Sequence, residues 1–130
     1  MNTKTIQQTI IFKSPPHEVY ELLMDSQKHT SITGVKASIS RKIGGKISAY
    51  DGYINGENVE LIQDKKIVQK WRGGDWPEGH YSTATFELEA VTEGTKLIFT
   101  QTSVPEHEFE MVTQGWHQYY WEPMNKLLEK

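Results

Sequence analysis

The chain has 130 residues and a mass of 15.0 kDa, a length that predicts one domain, residues 1–130, around one core. Fourteen basic against seventeen acidic side chains leave a net charge of -3, which excludes an overall electrostatic nucleic-acid binder. The absence of cysteine excludes disulfides, thiolate metal sites and cysteine nucleophiles, and suits a reducing compartment, so a cytoplasmic location is expected.

The opening residues 1–8 lack the apolar core of a secretion signal. No apolar run approaches the ~18 residues that a membrane helix needs, so no membrane association is expected. Thr5–Lys13 alternates, with Ile6, Ile10 and Phe12 on one side and Thr5, Gln7 and Thr9 on the other, as a half-buried strand does. Ser14-Pro15-Pro16 stops it and starts a helix, with Ser14 as the expected cap. Val19, Leu22 and Leu23 carry that helix to about Met24, and Asp25 is the expected cap of a second one through roughly Thr30.

Strand signals then recur over Val35–Ser40, Lys46–Tyr50, Tyr53–Ile62 and Ile67–Arg72, separated by Gly44-Gly45, Asp51-Gly52 and Gln63-Asp64-Lys65. Asn55-Gly56 reads as a tight turn or as a bulge inside a longer strand, the bulge being preferred. Two further strands, Tyr81–Val91 and Lys96–Val104, flank a hairpin turn at Thr92-Glu93-Gly94-Thr95. After Pro105 the period changes to about 3.6. Phe109, Val112, Trp116, Tyr119/Tyr120, Met124 and Leu127 form an apolar stripe on a helix near twenty residues long, which Pro123 should kink. At about 2 kcal/mol for each large apolar side chain buried, this helix is the main lid on the sheet. The expected class is α+β: a curved antiparallel sheet of six to seven strands gripping a C-terminal helix, with two short helices after the first strand.

The connection between Ile67–Arg72 and Tyr81–Leu88 stands out. A loop that only turns is short and polar, yet this one carries Trp71, Trp76 and His80 within ten residues. Trp71 alternates with Ile67 and Gln69 and reads as core. Trp76 follows Gly-Gly-Asp, so it either anchors a partner or tucks its indole under the sheet edge. Arg72 has two readings as well, pairing with an acidic partner group or with a neighbouring glutamate. His80 beside Glu78 has the ingredients of acid/base work, but no nucleophile or second carboxylate shares the stretch, and a loop histidine bonded to backbone is preferred. Lys36, Arg41, Lys42, Lys46, Lys65, Lys66, Lys70 and Arg72 crowd the middle third, either steering an acidic partner or decorating the solvent face of a sheet. His17, His29, His107 and His117 lack paired ligand spacing, and Gly44-Gly45 lacks the continuation of a phosphate loop, so no metal or cofactor is expected.

The series Gly44-Gly45-Lys46, Asp51-Gly52, Glu60-Leu61, Lys66-Ile67-Val68, Lys70-Trp71-Arg72, Trp76-Pro77-Glu78-Gly79-His80 and Gln114-Gly115-Trp116 with Tyr119-Tyr120 resembles the C-terminal domain of the activator of the heat-shock protein 90 ATPase. That family lies within the Bet v 1/START-like helix-grip superfamily. The resemblance covers residues 5 to 128, and the run from Lys66 to His80 is its most specific part, pointing to the eukaryotic co-chaperone branch. It implies a cytosolic, monomeric co-chaperone that binds heat-shock protein 90, accelerates its ATP turnover and does no chemistry itself. Lys70, Arg72, Trp76, Pro77, Glu78 and His80 are the expected contact residues. The chain starts at Met1 directly on the first strand, so the N-terminal module of two-module relatives is expected to be missing, and with it the effective-concentration gain of two linked modules.

The superfamily also implies a cavity between sheet and helix, which Trp71, Phe86, Trp116, Tyr119 and Tyr120 would line. A hydrophobic small molecule or lipid is the alternative partner that such a cavity would take. The preferred reading is that these rings fill the space themselves. An enzyme of the cyclase or dehydratase kind ranks last, because the polar residues on the sheet faces are mostly Thr and Gln.

Overall fold

The computed structural model describes residues 2–128. Seven strands form one antiparallel sheet: β1 (Thr3–Phe12), β2 (Ser38–Ile39), β3 (Lys46–Ala49), β4 (Ile54–Ile62), β5 (Lys66–Gly73), β6 (Ser82–Val91) and β7 (Gly94–Pro105), in the order β1-β7-β6-β5-β4-β3-β2. Every strand pairs with its sequence neighbours except β1, which β7 returns to meet. The chain therefore leaves one edge and re-enters at the other, and helices α1 (Pro16–Met24) and α2 (Ser26–Thr33) make that crossing. The alternation in β1 is as the sequence predicts: Ile6 and Phe12 are buried and Ile10 is half-buried. Among the described residues no helix is long and apolar enough to cross a membrane.

Several expected boundaries move, each for a local reason. Ser14 does not cap α1; Pro15 occupies that position, and the Ser14 hydroxyl instead donates to the Leu128 carbonyl at the far end of the chain. Asp25 does cap α2, accepting from the Lys28 amide at 3.0 Å. The strand expected over 35–40 shrinks to Ser38–Ile39, because the amides of Ala37 and Ile39 donate to the hydroxyls of Thr30 and Ser26 on α2. Asn55-Gly56 is neither turn nor bulge. It lies in continuous strand, and the register shifts further on, between Asn58 and Glu60.

The C-terminal lid departs most from expectation. A 3₁₀ turn (Glu106–Glu108) leads into α3 (Phe109–Trp116), a π-helical segment (His117–Trp121) and α4 (Glu122–Leu128). The sequence predicts a kink at Pro123; the irregularity lies just before it. A proline ring clashes with the carbonyl four residues earlier in an α-helix, here that of Tyr119, and the widened turn, closed by the Glu122 amide on the His117 carbonyl, relieves it. The extra residue turns Tyr120 and Trp121 both inward, 3% and 2% exposed. Tyr119 and Leu127, assigned to the apolar stripe, are 46% and 42% exposed instead of buried.

His29 shows how α2 is pinned to this lid. Its ring is buried, with Nδ1 donating to the Leu23 carbonyl at 3.0 Å and Nε2 accepting from the Tyr120 hydroxyl at 2.7 Å. Burial holds its pKa below the ordinary value, partly offset by the Leu23 carbonyl. The unfolded chain protonates this histidine near about pH 6.5 while the folded chain resists, so the unfolded state binds more protons between the two values. Stability from this site is complete above that pH and is lost progressively as pH falls through the window below it. Urea unfolding at pH 7.5 and 5 should show this loss, and His29→Gln should flatten it; equal pH slopes in both proteins would refute the assignment.

Candidate functional site

The loop after β5 is built by its own backbone. The Trp76 amide bonds the Gly73 carbonyl and the His80 amide bonds the Pro77 carbonyl, both at 3.0 Å. A Cβ at Gly73 would lie 2.7 Å from Trp76 Nε1, so the glycine is what lets the indole fold back. Trp76 is only 6% exposed: of its two readings, the indole takes the tucked one in this structure. Among the described residues Arg72 is bonded to the loop's own carbonyls and not to a glutamate. Its Nη2 donates to the Trp76 carbonyl at 2.5 Å and its Nε to the Pro77 carbonyl at 3.2 Å, which clasps the loop to β5. His80 donates from Nε2 to the Ser103 carbonyl at 2.8 Å on β7, the backbone partner expected of it. Lys70, Pro77 and Glu78 remain exposed. Three of the six expected contact residues thus hold the loop, and three present it.

Trp76 also faces a cavity of about 300 Å³ between the sheet and α3. The expected lining residues Trp71, Trp116, Tyr119 and Tyr120 are all on its wall. Phe86 is not; it is sunk in the core against Phe99 and Trp116, at 5.1 and 5.8 Å between ring centroids. Trp71, Trp116 and Tyr120 are buried, as the reading that the rings fill the space expects, while Tyr119 is exposed. Trp116 does fill core, 4.4 Å from Phe99, yet Gly115 beside it carries no side chain and leaves a trough along the helix. The polar edges of the two wall tryptophans are satisfied by sheet glutamines, Trp71 Nε1 donating to Gln69 at 2.8 Å and Trp116 Nε1 to Gln101 at 2.7 Å. Gln101 in turn donates to Ser82, whose hydroxyl donates to the Trp71 carbonyl. These polar residues lock the wall in place.

The cavity's charge sits at one end. The Tyr53 hydroxyl donates to Asp75 at 2.5 Å, and the Asp75 carboxyl lies close enough to that of Glu108 for their charges to interact. This bond holds the Asp75 carboxyl below its ordinary value and pushes the Tyr53 phenol up to about 12. Burial, then the neighbouring Asp75 charge, raises Glu108. At the other end Tyr50 packs edge-on against Tyr119 at 5.9 Å, and burial raises its phenol. Its hydroxyl oxygen is buried and has no hydrogen-bond partner among the described residues. Sequence reasoning missed Tyr50, Tyr53, Asp75 and Glu108. Glu108 was within reach, since Met111, Val112 and Gly115 continue its helical face. Tyr50 gave no signal, because its exposure to the cavity depends on a turn of positive φ.

Residues 13–129 match the family described as "Activator of Hsp90 ATPase homolog 1-like protein". The chain belongs to this family. Among its relatives, the human "Activator of 90 kDa heat shock protein ATPase homolog 1" is 34% identical over 118 residues, covering 91% of this chain and 34% of that protein. The activator homolog of Dictyostelium discoideum is also 34% identical, over 116 residues, 88% of this chain and 30% of its own. The chain thus spans about a third of the length of these activator relatives. A crystal structure of an HSP90 activator from Plasmodium falciparum superposes with a TM-score of 0.86 at 30% identity, over 97% of this chain and 95% of that one. The family lies within the Bet v 1/START-like superfamily, and the sheet and C-terminal helix have its helix-grip arrangement.

Proposed function

We propose that this activator-family chain binds a heat-shock protein 90 chaperone and stimulates its ATP turnover without chemistry of its own. The observation that carries the reading is the near end-to-end match, at 30% identity, to the Plasmodium falciparum HSP90 activator. Stimulation requires preference: the module must bind the hydrolysis-competent arrangement of the chaperone more tightly than the open one, since equal affinity for both shifts nothing. In this reading Lys70, Pro77 and Glu78 form the contact edge, and Arg72, Trp76 and His80 stiffen the loop that carries it, which lowers the ordering cost of binding.

The test is the steady-state ATPase rate of a cognate heat-shock protein 90 while this protein is titrated in. A saturable rise is expected, and Lys70→Glu should raise the half-saturating concentration about three- to tenfold with the fold unchanged. Trp76→Ala should also weaken the effect, through loss of loop order. A flat rate together with no binding in a direct assay would rule the proposal out. A second reading, an apolar small molecule held between sheet and helix, is favoured by the cavity of about 300 Å³, which sits at the lower end of ligand-pocket sizes.

A further inference from the structure

The loop after β5 and the C-terminal lid meet at the mouth of the cavity, and both are poor in basic side chains. Residues 97–125 contain no lysine or arginine, against Glu106, Glu108, Glu110 and Glu122, and residues 73–95 contain none either, against Asp75 and Glu78 in the loop itself. A surface of one sign is complementary to a partner group of the other.

Glu108 stands apart from the other acidic residues. It is 5% exposed and lies on the wall of the mouth, yet among the described residues no lysine or arginine pairs with its carboxyl. The charged groups that bear on it are Asp75, of like sign, and His107 on its own turn. A buried carboxylate without a counter-ion is costly, and a cation brought by a partner removes that cost.

The rim around these carboxyls is apolar and open. Met111 is 63% exposed, and Tyr53 and Tyr119 are exposed as well. All three line the same mouth, with Trp76 beside them. The Tyr53 hydroxyl, bonded to Asp75 at 2.5 Å, fixes that carboxyl at the edge. Large apolar side chains gathered at one opening mark a protein contact, and methionine and aromatic rings are the types that protein interfaces favour.

Two carboxyls set among rings select between cations. A guanidinium is planar, lies on an aromatic face and donates from several nitrogens at once, whereas an ammonium is a compact point charge. Its stem also covers apolar surface. We infer that this mouth is the docking point for an arginine side chain presented by a protein partner, with Glu108 and Asp75 as acceptors and Tyr53, Met111 and Tyr119 as the surface under its stem. This rests on the reading of the chain as a partner-binding module, and adds a contact distinct from Lys70, Pro77 and Glu78.

Two blocked tripeptides, with alanine on either side of arginine or of citrulline, differ in charge and hardly in shape. Each is titrated into the protein at pH 7.5 while the amide resonances of Glu108, Met111 and Tyr119 are followed by NMR. The arginine peptide should shift them saturably and bind about tenfold more tightly than the citrulline peptide. Glu108→Gln should abolish that preference while the urea midpoint holds or rises, because the substitution removes a buried unpaired charge. The same variant should raise the dissociation constant for a cognate heat-shock protein 90 about tenfold.

Equal binding of the two peptides, or a Glu108→Gln protein that keeps the preference, overturns the docking point. So does a Glu108→Gln protein that unfolds more easily, since the carboxyl would then be a structural group. None of these results touches the chaperone reading while the unaltered protein still binds the chaperone. Selective binding of the arginine peptide with no binding of the chaperone has the opposite meaning: the docking point stands and the chaperone reading falls.

Discussion

Replacing Trp116 with alanine is expected to destabilise the protein by about 4 kcal/mol. The indole is 3% exposed and touches rings from three elements: Trp71 on β5 at 5.0 Å, Phe86 on β6 at 5.8 Å and Phe99 on β7 at 4.4 Å. It also stacks on Trp121 at 5.4 Å with 19° between the planes. Edge and offset pairs of this kind add to plain area burial. Truncation would also leave the Gln101 carbonyl oxygen without its indole donor, and an unpaired buried acceptor carries a penalty of its own. Tyr119→Ala, on the same lid but 46% exposed, should cost under about 1 kcal/mol. Urea denaturation of the two variants checks the contrast. Comparable losses would mean that the lid is held by its cavity-facing rim and not by the ring cluster beneath it.

The π segment before Pro123 explains why the sequence shows part of this lid and hides the rest. Period-3.6 reading finds Phe109, Val112, Trp116, Tyr120 and Met124, all buried or half-buried. It also admits Tyr119 and Leu127, which are exposed, and it passes over Trp121, which is 2% exposed and bonded through Nε1 to Gln8 at 2.6 Å. A single residue added to one turn shifts the phase of everything around it, and periodicity alone has no means of registering the shift. The strands were legible because alternation and turn residues are local. β2 was over-long because its amides are claimed by hydroxyls of α2, a contact thirteen residues away in the case of Ser26 and Ile39.

The loop and the cavity show the same division. The density of tryptophan and glycine between β5 and β6 marked a structured loop, but composition is blind to direction. Gly73 grants the indole room to turn inward, and Arg72 spends its guanidinium on the loop's own carbonyls. Trp76 consequently belongs to the expected contact loop and to the cavity wall at once. Trp76 is the one residue that the two candidate surfaces read from the sequence share. A ligand in the cavity and a partner on the loop would therefore sense the same side chain, which gives a physical route for each to bias the other.

Gly56→Ala is the second large effect, expected to cost about 3 kcal/mol, because the added methyl meets backbone that cannot step aside. Gly56 pairs with Trp71 across β4 and β5. A Cβ there would stand 1.7 Å from the Lys70 carbonyl oxygen and 2.8 Å from its carbon. The two strands would have to part at the residue that carries one wall of the cavity and next to the exposed Lys70. The same substitution at Gly115 should do the reverse. There the new Cβ meets only Tyr119 Cδ2, at an ordinary 3.7 Å, and exchanging a helical glycine for alanine stabilises by about 1 kcal/mol. Both variants are read by urea unfolding, with NMR shifts of the Trp71 indole as a local probe. Gly56→Ala should lose stability and displace that indole resonance, whereas Gly115→Ala should gain stability and leave it near its place. A Gly56→Ala protein within about 1 kcal/mol of the original would show that β4 and β5 can re-pair around a methyl, and that the close approach at this position is not what fixes the cavity wall.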